Sequence, residues 1–151
     1  MNIHTILVPT DFSEYSDKAF AWALEMAEKW GAKLELLHIV PTPSYPPMMI
    51  ADGGFNPADY ESSLMADADK QTKEMLKRVD RPGVSIDTKV LVGSPFHDIC
   101  KIAEQEKSDL VVMGSHGRTG LSHVFLGSVA ERVVRHAPCP VLVVGKKAAE
   151  A

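Results

Sequence analysis

Apolar residues fall in short blocks separated by stretches of helical periodicity. Ile3 to Val8 is a β-branched run that stops at Pro9 and predicts a buried strand. Thr10-Asp11-Phe12-Ser13 then offers several helix caps. Phe20, Ala23, Leu24, Ala27 and Trp30 recur at helical spacing up to Gly31. Leu34 to Val40 predicts a second strand, ended by Pro41. Residues 41–57 hold five of the ten prolines together with Gly53-Gly54 and predict a long loop. Loops of that size are usually functional or mobile.

From Ala58 to Val79 the pattern is helical again, with Leu64, Ala68, Met75, Leu76 and Val79 on one face. Val84, Ile86, Thr88, Val90 and Val92 alternate with more polar neighbours, as in a half-exposed strand. Ser94-Pro95 reads as N-cap and first helical residue, and Phe96, Ile99, Cys100 and Ala103 form the inward face that follows. Leu110 to Met113 is wholly apolar, as in a central parallel strand. Residues 114–127 predict a glycine-rich loop, Ser128 to His136 a helix, and Val141 to Val144 a last strand. The tail from Gly145 is expected to fray.

Strand–helix alternation of this kind implies parallel strands, right-handed crossovers and helices on both faces of a doubly wound α/β sheet. The first strand and Leu110–Met113 are the shortest and most uniformly apolar, which suits the centre of a five-stranded order 3-2-1-4-5. In that order the sheet reverses between them, and ligands bind beyond the carboxyl ends of strands at such a point. Pro9-Thr10-Asp11 and Gly114–Gly127 would be the two loops there.

Composition narrows the class. At 151 residues, 45% hydrophobic and 24% charged, the chain predicts one ordinary globular domain spanning 1–151. No apolar run approaches the length of a membrane helix, and no basic segment opens the chain, so neither membrane insertion nor secretion is expected. A net charge of -4 disfavours a nucleic-acid partner. Cys100 and Cys139 form neither a CxxC site nor a disulfide framework, which points to reduced thiols and a cytoplasmic location.

The glycine-rich loop carries the candidate chemistry. Gly114-Ser115-His116-Gly117-Arg118-Thr119-Gly120 is followed by Gly127-Ser128-Val129 at a helix start. Glycines permit positive φ and close approach of phosphate oxygens to backbone N–H groups. A helix N-terminus favours an anion. Residues 114–136 carry three arginines against one glutamate, inside an acidic chain. The alternative is that the glycines merely punctuate a loop and Ser128 is an ordinary N-cap. Neither a P-loop nor a Rossmann GxGxxG is present.

Gly114-x2-Gly117-x9-Gly127-Ser128 resembles the G-2x-G-9x-G-[ST] nucleotide motif of the universal stress protein family. Ile6 to Ser13 resembles that family's first strand and turn, Leu36 to Val40 its second strand, and Ala137 to Val144 its close. The resemblance covers the chain in order apart from 41–57. It implies the 3-2-1-4-5 fold and binding of ATP. Pro9, Thr10 and Asp11 would lie against adenosine, Ile39 would offer its backbone to adenine, and Met113 would line the base pocket. Gly114, Gly117, Gly127, Ser128 and Val129 would cradle ribose and phosphates, with Arg118 a candidate phosphate contact.

The expected function is that of an ATP-binding, nucleotide-dependent stress sensor or regulator that uses Mg²⁺ and hydrolyses ATP slowly at most. Efficient phosphoryl transfer needs a clamp and a positioned base, and no Walker lysine or evident base adjoins the glycines. An adenine-nucleotide hydrolase or transferase, and a nucleotide-independent adaptor working through 41–57, are the alternatives. An apolar edge strand, Val141–Val144, invites pairing with another chain, and the resemblance likewise implies a homodimer through it. Asp11 competes as a plain helix cap. His116 and His123 are expected to be exposed rather than catalytic, Cys100, Trp22 and Trp30 to pack, and the acidic stretch Asp52–Asp80 to form a solvated face. Met48-Met49-Ile50 is an apolar triplet in a loop that needs a cover.

Overall fold

The computed structural model describes residues 2–51, 53–118 and 126–148. β1 (Thr5–Pro9) and β4 (Leu110–Gly114) lie side by side in the middle of a five-stranded sheet. β2 (Lys33–Pro41) flanks β1 and carries β3 (Ile86–Gly93) on its outer side, and β5 (Val141–Val144) flanks β4, giving the order β3-β2-β1-β4-β5 with every pairing parallel. This is the doubly wound order expected from the sequence.

The central strands are apolar on both sides because helices cover both faces. Ile6 and Val8 pack on α1 (Glu14–Trp30) and on Met75 of α3 (Pro57–Lys77). Leu7, Val111 and Met113 pack on α4 (Pro95–Gln105) and α5 (Ser128–His136). Ile6, Leu7, Val8, Val111 and Val112 are fully buried.

Strand lengths set up the cleft described below. Pro9, the last residue of β1, pairs with Leu37, whereas β2 continues beside β3 from His38↔Val90 to Pro41↔Gly93. A two-stranded wall therefore rises above the end of β1.

Local signals fix the helix ends. Ser13 caps α1 by accepting the Ser16 N–H, and Gly31 ends it at φ +65°, a left-handed conformation that favours glycine. Ser94 occupies the N-cap of α4 but makes no side-chain capping bond. Its own N–H donates to the Asp98 carboxylate at 2.8 Å.

Several expectations are corrected. Residues 41–57 are not loop throughout: Pro47–Ala51 forms a short helix, α2, nucleated by a proline suited to a first helical position. Met48, Met49 and Ile50 on it are 80%, 47% and 51% exposed, so nothing among the described residues covers them fully. The first strand starts at Thr5 rather than Ile3, because the His4 and Thr5 N–H groups donate to the Asp109 carboxylate instead of a neighbouring strand. Helix α5 spans Ser128–His136 as expected, but its N-cap is Gly127, which overturns the alternative reading of Ser128 as the cap. The tail is tied down as far as Ala148, since Lys18 Nζ donates to the Lys146 carbonyl and Ala148 packs on the core. Trp22 packs against the core, but Trp30 is 45% exposed at the end of its helix.

Candidate functional site

A cleft of about 640 Å³ opens beyond the carboxyl ends of β1 and β4, where the strand order reverses. Small-molecule sites commonly occupy about 300–1,000 Å³. All eleven residues expected to bind the nucleotide line it. Pro9, Thr10 and Asp11 come from the end of β1, and Ile39 from the raised part of β2. Met113 and Gly114 end β4, Gly117 and Arg118 follow, and Gly127, Ser128 and Val129 open α5.

The turn after β1 is fixed from several directions. The Thr10 N–H donates to the Leu37 carbonyl at 2.8 Å. Thr10 Oγ1 accepts the Phe12 N–H at 3.0 Å and donates to Ser16 Oγ at 3.1 Å. His38 Nδ1 lies 2.7 Å from the Thr10 carbonyl oxygen. A carbonyl only accepts, so Nδ1 carries the proton and the neutral ring keeps Nε2 as an acceptor. Phe12 sits at φ +62°, a conformation costly for a bulky residue, with its ring centroid 4.4 Å from that of His38. Burial holds the His38 pKa below the ordinary imidazole value, and the Arg118 charge adds to this against the Thr10 bond and Asp11. Asp11 is not the helix cap. Its Oδ1 accepts the Ser13 N–H at 3.0 Å, while Ser13 does the capping.

The glycine arm faces this turn. Arg118 Nε donates to the Asp11 carbonyl at 2.7 Å, joining the loops after β4 and β1. The Gly127 N–H donates to the Ser115 carbonyl at 2.7 Å and so clasps the two ends of the glycine-rich segment. Thr119, Gly120 and His123 lie outside the described residues. The glycines do not serve left-handed turns: among the described glycines only Gly31 and Gly53 have positive φ. They serve close approach instead. A β-carbon on Gly114 would stand 2.8 Å from Tyr15 Cβ and 2.9 Å from its carbonyl carbon. On Gly127 it would stand 3.2 Å from the Ser115 carbonyl oxygen and 3.3 Å from His116 Cα.

At the far side of the arm, α5 presents its first turn to the cleft. The Glu131 N–H is the first to find a carbonyl within the helix, that of Gly127, and no side chain caps the turn. The N–H groups of Ser128, Val129 and Ala130 therefore have no intrahelical acceptor. With the helix dipole and two flanking glycines, this end of the cleft is suited to an anion.

The sequence reading missed other lining residues. His38 stands out only as a polar residue in the run Leu36–Val40, and its burial marks it. Leu64, Asp67, Ala68 and Gln71 of α3 also line the cleft. The sequence put Leu64 and Ala68 on one apolar stripe with Met75, Leu76 and Val79; those three pack in or against the core, whereas Leu64 and the buried Ala68 line the cleft. Asp67 belongs to the stretch read as solvated. His116 lines the cleft, its Nδ1 2.9 Å from Ser115 Oγ and its ring beside Tyr15. Among the described residues no group of three or more His, Cys, Asp or Glu could hold a metal ion. No helix among them is long and apolar enough to cross a membrane.

A parallel sheet with a ligand-sized cleft at its reversal point defines a doubly wound α/β fold with a candidate ligand site at the switch point. Residues 2–145 match the universal stress protein family, and the chain belongs to it. It is 37% identical over 142 residues to universal stress protein MJ0531 of Methanocaldococcus jannaschii, covering 93% of this chain and 81% of the relative. The solved structure of protein MJ0577 superposes with a TM-score of 0.79 at 31% identity, covering 99% of this chain and 100% of the other. A universal stress protein solved in complex with cAMP has a TM-score of 0.61 at 24% identity, covering 97% of this chain and 100% of the other. At that identity it shows the shared fold.

Proposed function

We propose that the cleft binds ATP together with Mg²⁺, and that the protein is a nucleotide-dependent sensor or regulator in the stress response. The observation that carries this reading is the pairing of an uncapped helix start with two close-approach glycines at one end of a cleft whose other walls are largely apolar. Phosphates would accept hydrogen bonds from the N–H groups of Ser128, Val129 and Ala130 and from the Ser128 hydroxyl. Arg118, held by its Nε, would turn its remaining N–H groups to the same oxygens. Adenosine would lie along Pro9, Thr10 and Asp11, with the Ile39 backbone and the Met113 side chain at the base. Gly114, Gly117 and Gly127 keep the space around ribose and phosphates free of side chains.

Mg²⁺ ordinarily rides on phosphates with one or two carboxylates and several waters, so it needs no protein cage. The ion would neutralise phosphate charge. No Walker lysine adjoins the glycines, and we expect turnover far below the median enzyme value of about 10 s⁻¹. The half-buried free thiols of Cys100 and Cys139 suit a reducing compartment, and we place the protein in the cytoplasm. The apolar edge strand β5 suits pairing with a second copy across a two-fold axis.

Calorimetric titration with ATP and Mg²⁺ tests the reading. A dissociation constant in the micromolar range, about -8 kcal/mol, with slow turnover supports it. Turnover near the enzyme median that a cleft variant abolishes would favour the hydrolase or transferase alternative. Absence of binding at millimolar ATP would favour a nucleotide-independent adaptor.

A further inference from the structure

We infer that α3 reads the base: Asp67 and Gln71 accept the exocyclic amine of adenine and select it over purines that carry a carbonyl there. This rests on the nucleotide reading above and adds a specificity determinant to it.

The geometry comes from one helix face. Leu64, Asp67, Ala68 and Gln71 are spaced at i, i+3, i+4 and i+7, the positions that line up on a helix, and all four line the cleft. Leu64 and Ala68 supply apolar surface, and Ala68 is buried without joining either core cluster. Asp67 and Gln71 lie one turn apart on the same face and are exposed to the cleft mouth. Asp69, two residues further on, turns away and pairs with Lys73 at 3.0 Å. Asp67 has no ion pair among the described residues.

The orientation of a nucleotide follows from the two ends. The anion end is the start of α5 and the glycine arm. Across the sheet from it, α3 packs on β2 and β3 whereas α5 packs on β5, so α3 and the raised part of β2, Ile39 to Pro41, line the side of the cleft away from the α5 side. A base placed there has its edge toward α3. A carboxylate offers acceptors only, and a carboxamide offers both an acceptor and donors. Glutamine pairs bidentately with the adenine amine and the neighbouring ring nitrogen, and a carboxylate accepts from an exocyclic amine. Guanine and hypoxanthine present an oxygen at that position, which faces the Asp67 carboxylate lone pair against lone pair.

The test compares ATP with ITP, whose base differs at the six position. The wild-type protein, Asp67→Asn, Gln71→Ala and the control Asp69→Asn are titrated calorimetrically, with thermal melts as a fold check. The wild type should prefer ATP. Asp67→Asn should reduce that preference about tenfold, because its amide can donate to the ITP oxygen. Gln71→Ala should also reduce it, and Asp69→Asn should leave it unchanged. If Asp67→Asn weakens both nucleotides equally, or leaves the ratio intact, α3 does not read the base. If the wild type binds neither nucleotide, the ATP reading fails as well, and the two failures are told apart by the wild-type titration alone.

Discussion

Asp11 Oδ2 lies 2.8 Å from the point where a β-carbon on Gly117 would stand, so the loops after β1 and β4 meet with no room for a side chain between them. The same carboxylate is anchored through Oδ1 on the Ser13 N–H, and the Arg118 Nε bond to the Asp11 carbonyl draws the loops together. The motif glycine thus protects the position of an acidic side chain that lies in the proposed adenosine site.

Gly117→Ala should therefore act on binding through Asp11. The new methyl group must displace the Asp11 carboxylate oxygen that stands 2.8 Å away. ATP affinity should fall at least tenfold, about 1.4 kcal/mol, while the melting temperature changes little because Gly117 lies outside the core. Calorimetry beside thermal melting checks this, and an unchanged affinity would show that Asp11 is not a ligand contact.

Gly114→Ala should be a stability variant instead. Its β-carbon meets the Tyr15 backbone at the start of α1, and a backbone cannot rotate aside. Overpacking of this kind costs about 1–3 kcal/mol. Urea unfolding gives the loss directly, and a variant as stable as wild type would mean that α1 shifts freely against β4.

His38 predicts a pH dependence of stability. Its folded pKa is depressed below about 6.5, so the unfolded chain binds the extra proton first as pH falls. The stabilising contribution is present above about pH 6.5 and is lost as pH drops through that value toward the folded pKa. Burial raises the pKa of Glu35, which works in the opposite direction at lower pH, so the informative quantity is a difference between variants. His38→Gln can still donate to the Thr10 carbonyl but does not titrate. Wild type should lose more stability than this variant between pH 7.5 and 5.5 in urea melts. Parallel losses would contradict the assignment.

β5 exposes one backbone edge of an apolar strand, with Val141, Leu142 and Val143 only half-buried. Light scattering at tens of micromolar should report twice the mass of one chain. A monomer mass would leave this edge without the partner proposed for it.

The fold was legible because each strand is a compact apolar block and each crossover carries a cap or a breaker. Ser13, Gly31 and the Ser94-Pro95 pair mark boundaries that the backbone respects. The glycine-arm residues were legible through their match to the family's motif, but the structural reason for them was not. Positive φ is a local property a sequence can suggest, whereas contact of Gly117 with Asp11 or Gly114 with Tyr15 is made across the fold. The same limit hid α3. Leu64 and Ala68 keep helical register with Met75, and only the height of β2 above β1 decides that they meet a cleft rather than core. His38 was hidden by its apolar neighbours. Helix α2 was hidden because prolines and glycines flank a segment of five residues.

The central claim is that an adenine nucleotide occupies the cleft with its phosphates at the start of α5. An amide-resolved NMR titration of the wild-type protein with ATP and Mg²⁺ tests this most directly. The account predicts the largest shifts at the amides of Gly117, Gly127, Ser128, Val129 and Ala130, with further shifts at Asp11 and Ile39, all saturating together at micromolar nucleotide. No shifts at millimolar ATP, or shifts confined to a surface away from these residues, would contradict it.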